Sequence, residues 1–416
     1  MIQKKILLFF LAISVFSFSQ VLPDARKVDW STAGLINATI SKTFKNIDMA
    51  DFNVVGDGVT ANDAILANVI SSITTPGAIL NFPEGTFLFN KPIVLESNII
   101  IKGRRADKTI FKIDLLQKDH GVKIKGNLTN TITTISLPSL KDDNYINVAD
   151  ATNFAAGDWI EIKQDDSSLI DPSSVSWASE TVGQIVQINS ITGNTISLVS
   201  PLRMDYIAAR LPYIVKFNPI ENAGIECIKI VRIDDTTPKN RSNIYFEYAV
   251  NSWVKAIESD KCTNGHVDVR KSSNIYISNS YFHHGFSYGS GGRAYGVILQ
   301  ATTGETLVEN NIFEHLRHSM LLQTGVNGNV FSYNFSTDAY WEEPFFDNDD
   351  AGDMVLHGNY PYANLFEMNI GSTVVVDNSH HTNGPYNTFH FSNRYCGHLC
   401  FRKVLSSSSH GCKRHT

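Results

Sequence analysis

The sequence predicts an all-β fold, a coiled β-solenoid in which short strands stack rung upon rung. Two observations carry this. A short alternating segment closed by asparagine recurs at residues 274–279, 306–311, 329–334 and 364–369, with a longer copy at 387–393. The closing asparagines Asn279, Asn311, Asn334 and Asn369 lie 32, 23 and 35 residues apart. A period of roughly twenty-odd residues, with one short strand per repeat, marks a solenoid. Asparagine suits the turn because it tolerates left-handed backbone and bonds its own chain. Stacked at one corner, such side chains form a ladder, so their expected role is structural. The bare rung is 23 residues. The longer intervals therefore carry insertions, which map to loops, often on the binding face.

Taken in order, the chain opens on Met1-Ile-Gln-Lys4-Lys5 and an apolar run to Phe18. A basic start and a short apolar run read as a secretory signal peptide, residues 1–20. The run is shorter than the roughly 20 residues that span a bilayer. No membrane anchor is expected. Residues 21–50 show no strong pattern. A helix is expected at about 61–73, because Ile65, Leu66, Val69, Ile70 and Ile73 share one face. Thr60 or Asn62 can cap it and Pro76-Gly77 ends it. Alternating strands follow, around Phe82, Phe87, Phe89 and residues 92–103.

The residues Asp51-Phe, Gly56-Asp57-Gly58, then Phe82-Pro, Gly85-Thr86-Phe87 and Val94 to Gly103 resemble the start of pectate-lyase-3-type proteins. These are right-handed parallel β-helices of the pectin-lyase-like superfamily. The resemblance covers about fifty residues. It implies a right-handed parallel β-helix whose first helix caps the open end, as terminal repeats must. Rungs then begin within residues 21–129. Between residues 130 and 215 the period breaks. Short strands joined by Gly, Asp and Asn turns read as a small inserted antiparallel β sub-barrel, with a packing role favoured over a carbohydrate-contacting one. The main β-helix resumes over 216–394, and 395–416 is an irregular tail resembling no rung.

A formal charge of −6 and a charged fraction of 18% do not fit a nucleic-acid binder. Five cysteines, Cys227, Cys262, Cys396, Cys400 and Cys412, leave at least one unpaired in an exported chain. Cys396, Cys400, His398 and His410 are spaced too loosely for a zinc site.

Chemistry is expected over residues 283–381. Eight of the thirteen histidines fall between 283 and 390, a concentration that packing alone does not explain. Side chains alternate along a strand. An inward Leu316 thus places His315 and Arg317 together outside, with His318 needing a turn to follow. Three reaction classes fit. The first is β-elimination on a uronic-acid polysaccharide, which needs a cation for the carboxylate and a base for the α-proton. Arg317 or Arg293 would serve as cation or base, His315, His318 or His357 as base, and Tyr360 or Tyr295 as proton donor. His284, Gln323, Tyr340, Trp341, His380 and Asn383 would bind substrate. Lyases of the superfamily often use calcium, and the resemblance implies Ca2+ at Asp347, Asp349, Asp350 and Asp353, which supply hard oxygen ligands. No organic cofactor is expected. The second class is hydrolysis by two carboxylates. Asp349-Asp350 with His357-Gly358 resembles polygalacturonase-type hydrolases, with Glu342, Asp347, Asp350 and Asp353 as candidate acids, although the other motifs of that family are missing. The third is non-catalytic glycan binding by Trp341, Tyr340, Tyr360 and Tyr288 stacked on sugar rings. Titratable groups concentrate where chemistry is done. The first expectation is therefore a secreted monomeric lyase acting on an extracellular acidic polysaccharide, with hydrolysis as the alternative.

Overall fold

A computed structural model describes residues 23–36, 43–74, 76–116, 119–234, 241–289, 291–343, 351–377, 380–390 and 400–404. The signal peptide, Asp347, Asp349, Asp350, Asn393, Cys396 and Cys412 lie outside these residues. Among the described residues, no helix is long and apolar enough to cross a membrane.

Each turn of the chain contributes one strand to each of three parallel sheets, here A, B and C. One rung runs Tyr276–Ser278, Tyr281–His283 and Tyr295–Gln300; the next runs Leu307–Glu309, Ile312–Glu314 and His318–Leu322. Sheet A has ten strands, sheet B eight and sheet C nine among the described residues. Equivalent strands pair in parallel from rung to rung, as with Tyr276↔Leu307↔Val330↔Leu365. This is a right-handed parallel β-helix, the hand imposed on parallel crossovers by strand twist.

The core is the inside of the coil. Inward positions are filled by Ile, Val, Leu, Met and Phe in register, and Phe331, Phe366 and Phe389 stack at 5.1 and 4.6 Å. The helix Asp63–Ser72 buries Leu66, Val69 and Ile70 against this core. Asn62 stands at its N-cap position, but its amide bonds Val55 instead of capping.

Two asparagine ladders line the coil. Asn311, Asn334 and Asn369 hold the A–B corner, each carboxamide oxygen accepting from the backbone of the rung before. Asn329, Asn364 and Asn387 form a second ladder where the sheet A strands begin. The first repeat is displaced by one residue: Ser280, not Asn279, stands opposite Asn311, and Asn274 precedes the ladder position. Asn279 and Asn274 instead take left-handed backbone, with φ 53 and 56°.

The sub-barrel is a six-stranded antiparallel sheet from Asn127–Thr134 to Tyr213–Asn218. It leaves the coil at the C–A corner between an early rung and the next, then lies along the same corner of later rungs. Arg203 pairs with Glu305 and bonds Asn327 at 3.1 Å. Gly183 accepts from Tyr362 and Asn327, and the Asp171 amide donates to Asn359. The patternless stretch before the helix also docks here: Trp30 donates to Ala363 O at 2.8 Å, and Asn274 holds the carbonyls of Thr32 and Gly34.

Candidate functional site

Sheet C has two outward rows. One is apolar: Ile298, Leu321, Val355 and Val375 cluster with Tyr295 and are 0–6% exposed. They are buried because chain inserted at the B–C corner folds over them; a Cβ added at Gly352 would collide with Val375 and Val355. The other row is polar. Lys125, Glu247, Arg270 and Gln300 stand in register. Gln323, His357 and Asp377 continue the row, following the paired residues Leu322, Leu356 and Val376. At about 4.8 Å per rung this stripe runs roughly 29 Å. The inserted subdomain borders it on the C–A side, where Trp177 meets His380 edge-on at 5.3 Å. The result is a polar trench between the B–C insertions and the subdomain.

At its far end His357 Nδ1 lies 2.5 Å from Asp377 Oδ2. The carboxylate holds the imidazole with Nδ1–H toward it, which leaves Nε2 as the basic nitrogen. Asn383 braces both residues, donating to Asp377 O and accepting from Gly358 N. It positions the dyad, and its amide is spent on that task. His380 stands edge-on to His357 at 5.1 Å and near Ser174 and Asp171 of the subdomain. Burial first, then His357, lowers its pKa. Gln323 donates to Gln300 at 2.8 Å, and Gln300 to Asp268 at 2.7 Å. Burial raises the pKa of Asp268.

Beside the dyad lies a buried aromatic-cation stack. Arg317, 7% exposed, lies 4.5 Å from the Trp341 ring centroid and 5.7 Å from that of Tyr295. Its Nη1 donates to Gly289 O at 2.7 Å, while its buried Nε has no protein acceptor. Among the described residues no carboxylate pairs with it. His318 stacks on Tyr295 at 5.1 Å and lies 6.2 Å from His357. Burial depresses its pKa to about 3 and raises that of Tyr295, whose phenol also feels Arg317 and Asp377.

The structure divides the remaining candidates. Leu316 does point inward, yet His315 and Arg317 part to either side of it. His315 bonds Asp338 at 2.7 Å and stacks on Tyr340, with Tyr288 edge-on at 4.8 Å. Neighbouring Tyr340 and Trp341 thus serve different clusters. His284 joins the His315 side at 5.1 Å. Among the described residues, Arg293 bonds Ser287 within its own loop. Tyr360 is half-buried against the subdomain core near Tyr362, so its ring packs on that core and not in the trench. Asp353 leaves the oxygen-ligand set: it is 0% exposed inside the coil, and its carboxylate accepts from Ser336, Ser372 and Thr373. A calcium ligand needs free oxygens, so Asp353 does not fit one.

Sequence reasoning assigns no role to Asp377, although it heads the polar run with His380, and does not reach Tyr295 as a stacking partner of His318 or the subdomain wall at Asp171, Ser174 and Trp177. Asp377 was readable as the first residue of the Asp-Asn-Ser-His-His run, one rung beyond His357. The wall was not, because its contact with His380 spans about half the chain.

Residues 44–165 match the family described as rhamnogalacturonase A/epimerase, pectate lyase-like. A capsule K1-specific depolymerase of Klebsiella phage K64-1 is 22% identical over 276 residues, 64% of this chain and 29% of that protein. The chain therefore spans under a third of that relative. The tailspike protein of Pseudomonas phage LKA1 superposes with a TM-score of 0.55 at 19% identity, over 83% of this chain and 59% of that one.

Proposed function

We propose that this parallel β-helix, whose residues 44–165 match a pectate-lyase-like family, is a secreted enzyme that cleaves an acidic extracellular polysaccharide by β-elimination. One observation carries the reading: a buried arginine with no carboxylate partner among the described residues lies in the same cluster as a histidine oriented by an aspartate. A buried cation is costly unless paired. A uronate carboxylate would supply that pair and, once neutralised, would acidify its α-proton. Nε2 of His357 takes this proton. The electron pair forms the ring double bond as the glycosidic C–O bond breaks. The leaving oxygen receives a proton from Tyr295, a phenol kept protonated by burial. The polar stripe from Lys125 to Asp377 holds the extended chain, with Gln323 and His380 flanking the reacting residue.

The test is incubation of the protein with uronic and neutral polysaccharides. Ultraviolet absorbance from an unsaturated uronate is the expected product signal. New reducing ends without that absorbance would show hydrolysis by paired carboxylates instead, and retention without cleavage would show binding alone. His357→Ala should lower turnover by about 10²–10⁴-fold, the usual worth of a general base, with the circular-dichroism spectrum unchanged. Undiminished turnover would remove His357 from the mechanism.

A further inference from the structure

A second cluster lies on the outer face of sheet B, on the other side of the Tyr288–Tyr340 contact from the trench. Asp260 and His283 are in register on adjacent rungs. His284 follows His283 and opens the insertion to residue 294. One ligand atom from each of Asp260, His283 and His284 lies within 4.8 Å of the other two. His283 Nδ1 is 2.9 Å from His284 Nδ1 and 3.6 Å from Asp260 Oδ1. The opposite nitrogen of His283 lies 3.2 Å from Glu258, which Lys229 holds at 2.6 Å. Tyr281 stacks on the His283 ring at 4.2 Å.

We propose that Asp260, His283 and His284 bind a divalent transition-metal ion of the Zn2+ class. Glu258 accepts only, so it draws the proton of His283 to Nε2 and leaves a lone pair on Nδ1. That lone pair faces a second imidazole and a carboxylate oxygen. Several electron-pair donors thus converge on one space, which a cation satisfies. Two imidazoles and one carboxylate suit zinc and its neighbours, whereas calcium and magnesium take oxygen ligands. Metal–nitrogen bonds of about 2.0–2.1 Å span nitrogens 2.9 Å apart at close to a right angle. Glu258 behind His283 is the carboxylate partner that ligating histidines typically have. The ion would fasten the first residue of the loop whose Gly289 carbonyl holds Arg317. This proposal stands independently of the reaction assigned to the trench.

The test uses the full chain, stripped with a chelator and titrated with Zn2+ by calorimetry. Co2+ titration then follows the visible absorption of the bound ion. One equivalent per chain is expected. His284→Ala and Asp260→Asn should each weaken binding at least about 100-fold, and Glu258→Gln by about 10–100-fold, the usual effect of removing such a partner. His357→Ala should bind as the wild type does. Asp260→Asn keeps the side chain's volume and tests the site even if a histidine variant misfolds. Absence of stoichiometric uptake by the wild type, or equal uptake by Asp260→Asn and His284→Ala, would overturn the site.

Discussion

At the scale of single residues, burial decides what each titratable group can do. His120, His266 and His318 are each depressed to about 3, with burial the leading cause. The unfolded value is about 6.5. Below that pH the unfolded chain takes up protons that the folded chain refuses. Each of these histidines therefore contributes fully above about pH 6.5 and less as the pH falls toward 3. Asp268 and Asp353, raised by burial, act in the opposite sense. A single-site comparison isolates one histidine. The stability lost between about pH 7 and 4 should be smaller in His120→Asn than in the wild type, by on the order of 3 kcal/mol, as read from urea midpoints at each pH. An equal loss in both would show that His120 titrates normally. The sequence drew attention to His357, His380 and Gln323, which the coil does bring together. It could not separate His315 from Arg317, because alternation gives the sides of a strand but not the loops that later cover them.

At the scale of elements, the repeats were legible and their register was less so. The interval from Asn311 to Asn334 is the uninterrupted rung, and the longer intervals do hold insertions, all entering at the B–C corner. The one-residue displacement at Asn279 escaped notice because Ser280 fills the ladder position with a different side chain. The ladder itself is testable. Asn334 accepts from the Asn311 backbone and side chain and donates to Val308 O. Asn334→Ala would strand these buried groups at about 1–3 kcal/mol for each one left unsatisfied. Chemical denaturation should show a loss of several kcal/mol, and a loss below about 1 kcal/mol would mean that the neighbouring rungs close over the gap. The stretch before the helix was unreadable for a different reason. It docks through Trp30, Thr32 and Gly34 on residues more than 200 positions away, and no local pattern encodes such contacts.

At the scale of the whole molecule, the trench exists only because the subdomain docks on later rungs. Arg203 and Glu305 are each 3% exposed. Removing one charge leaves the other buried, a change that typically costs about 3–5 kcal/mol. Glu305→Gln should therefore loosen the subdomain, with faster proteolytic nicking of the segment near Trp177 while the coil's β signal persists. Unchanged cleavage would show that docking relies on the apolar cluster around Tyr206 and Tyr362 instead. This arrangement has a temporal consequence. During synthesis the subdomain emerges about a hundred residues before the rungs that receive it, and domains generally fold as units in that order. Contacts so distant in sequence form slowly. The finished surface must then appear last, after both halves have acquired their secondary structure. Refolding followed by far-ultraviolet ellipticity should run ahead of refolding followed by Trp177 fluorescence.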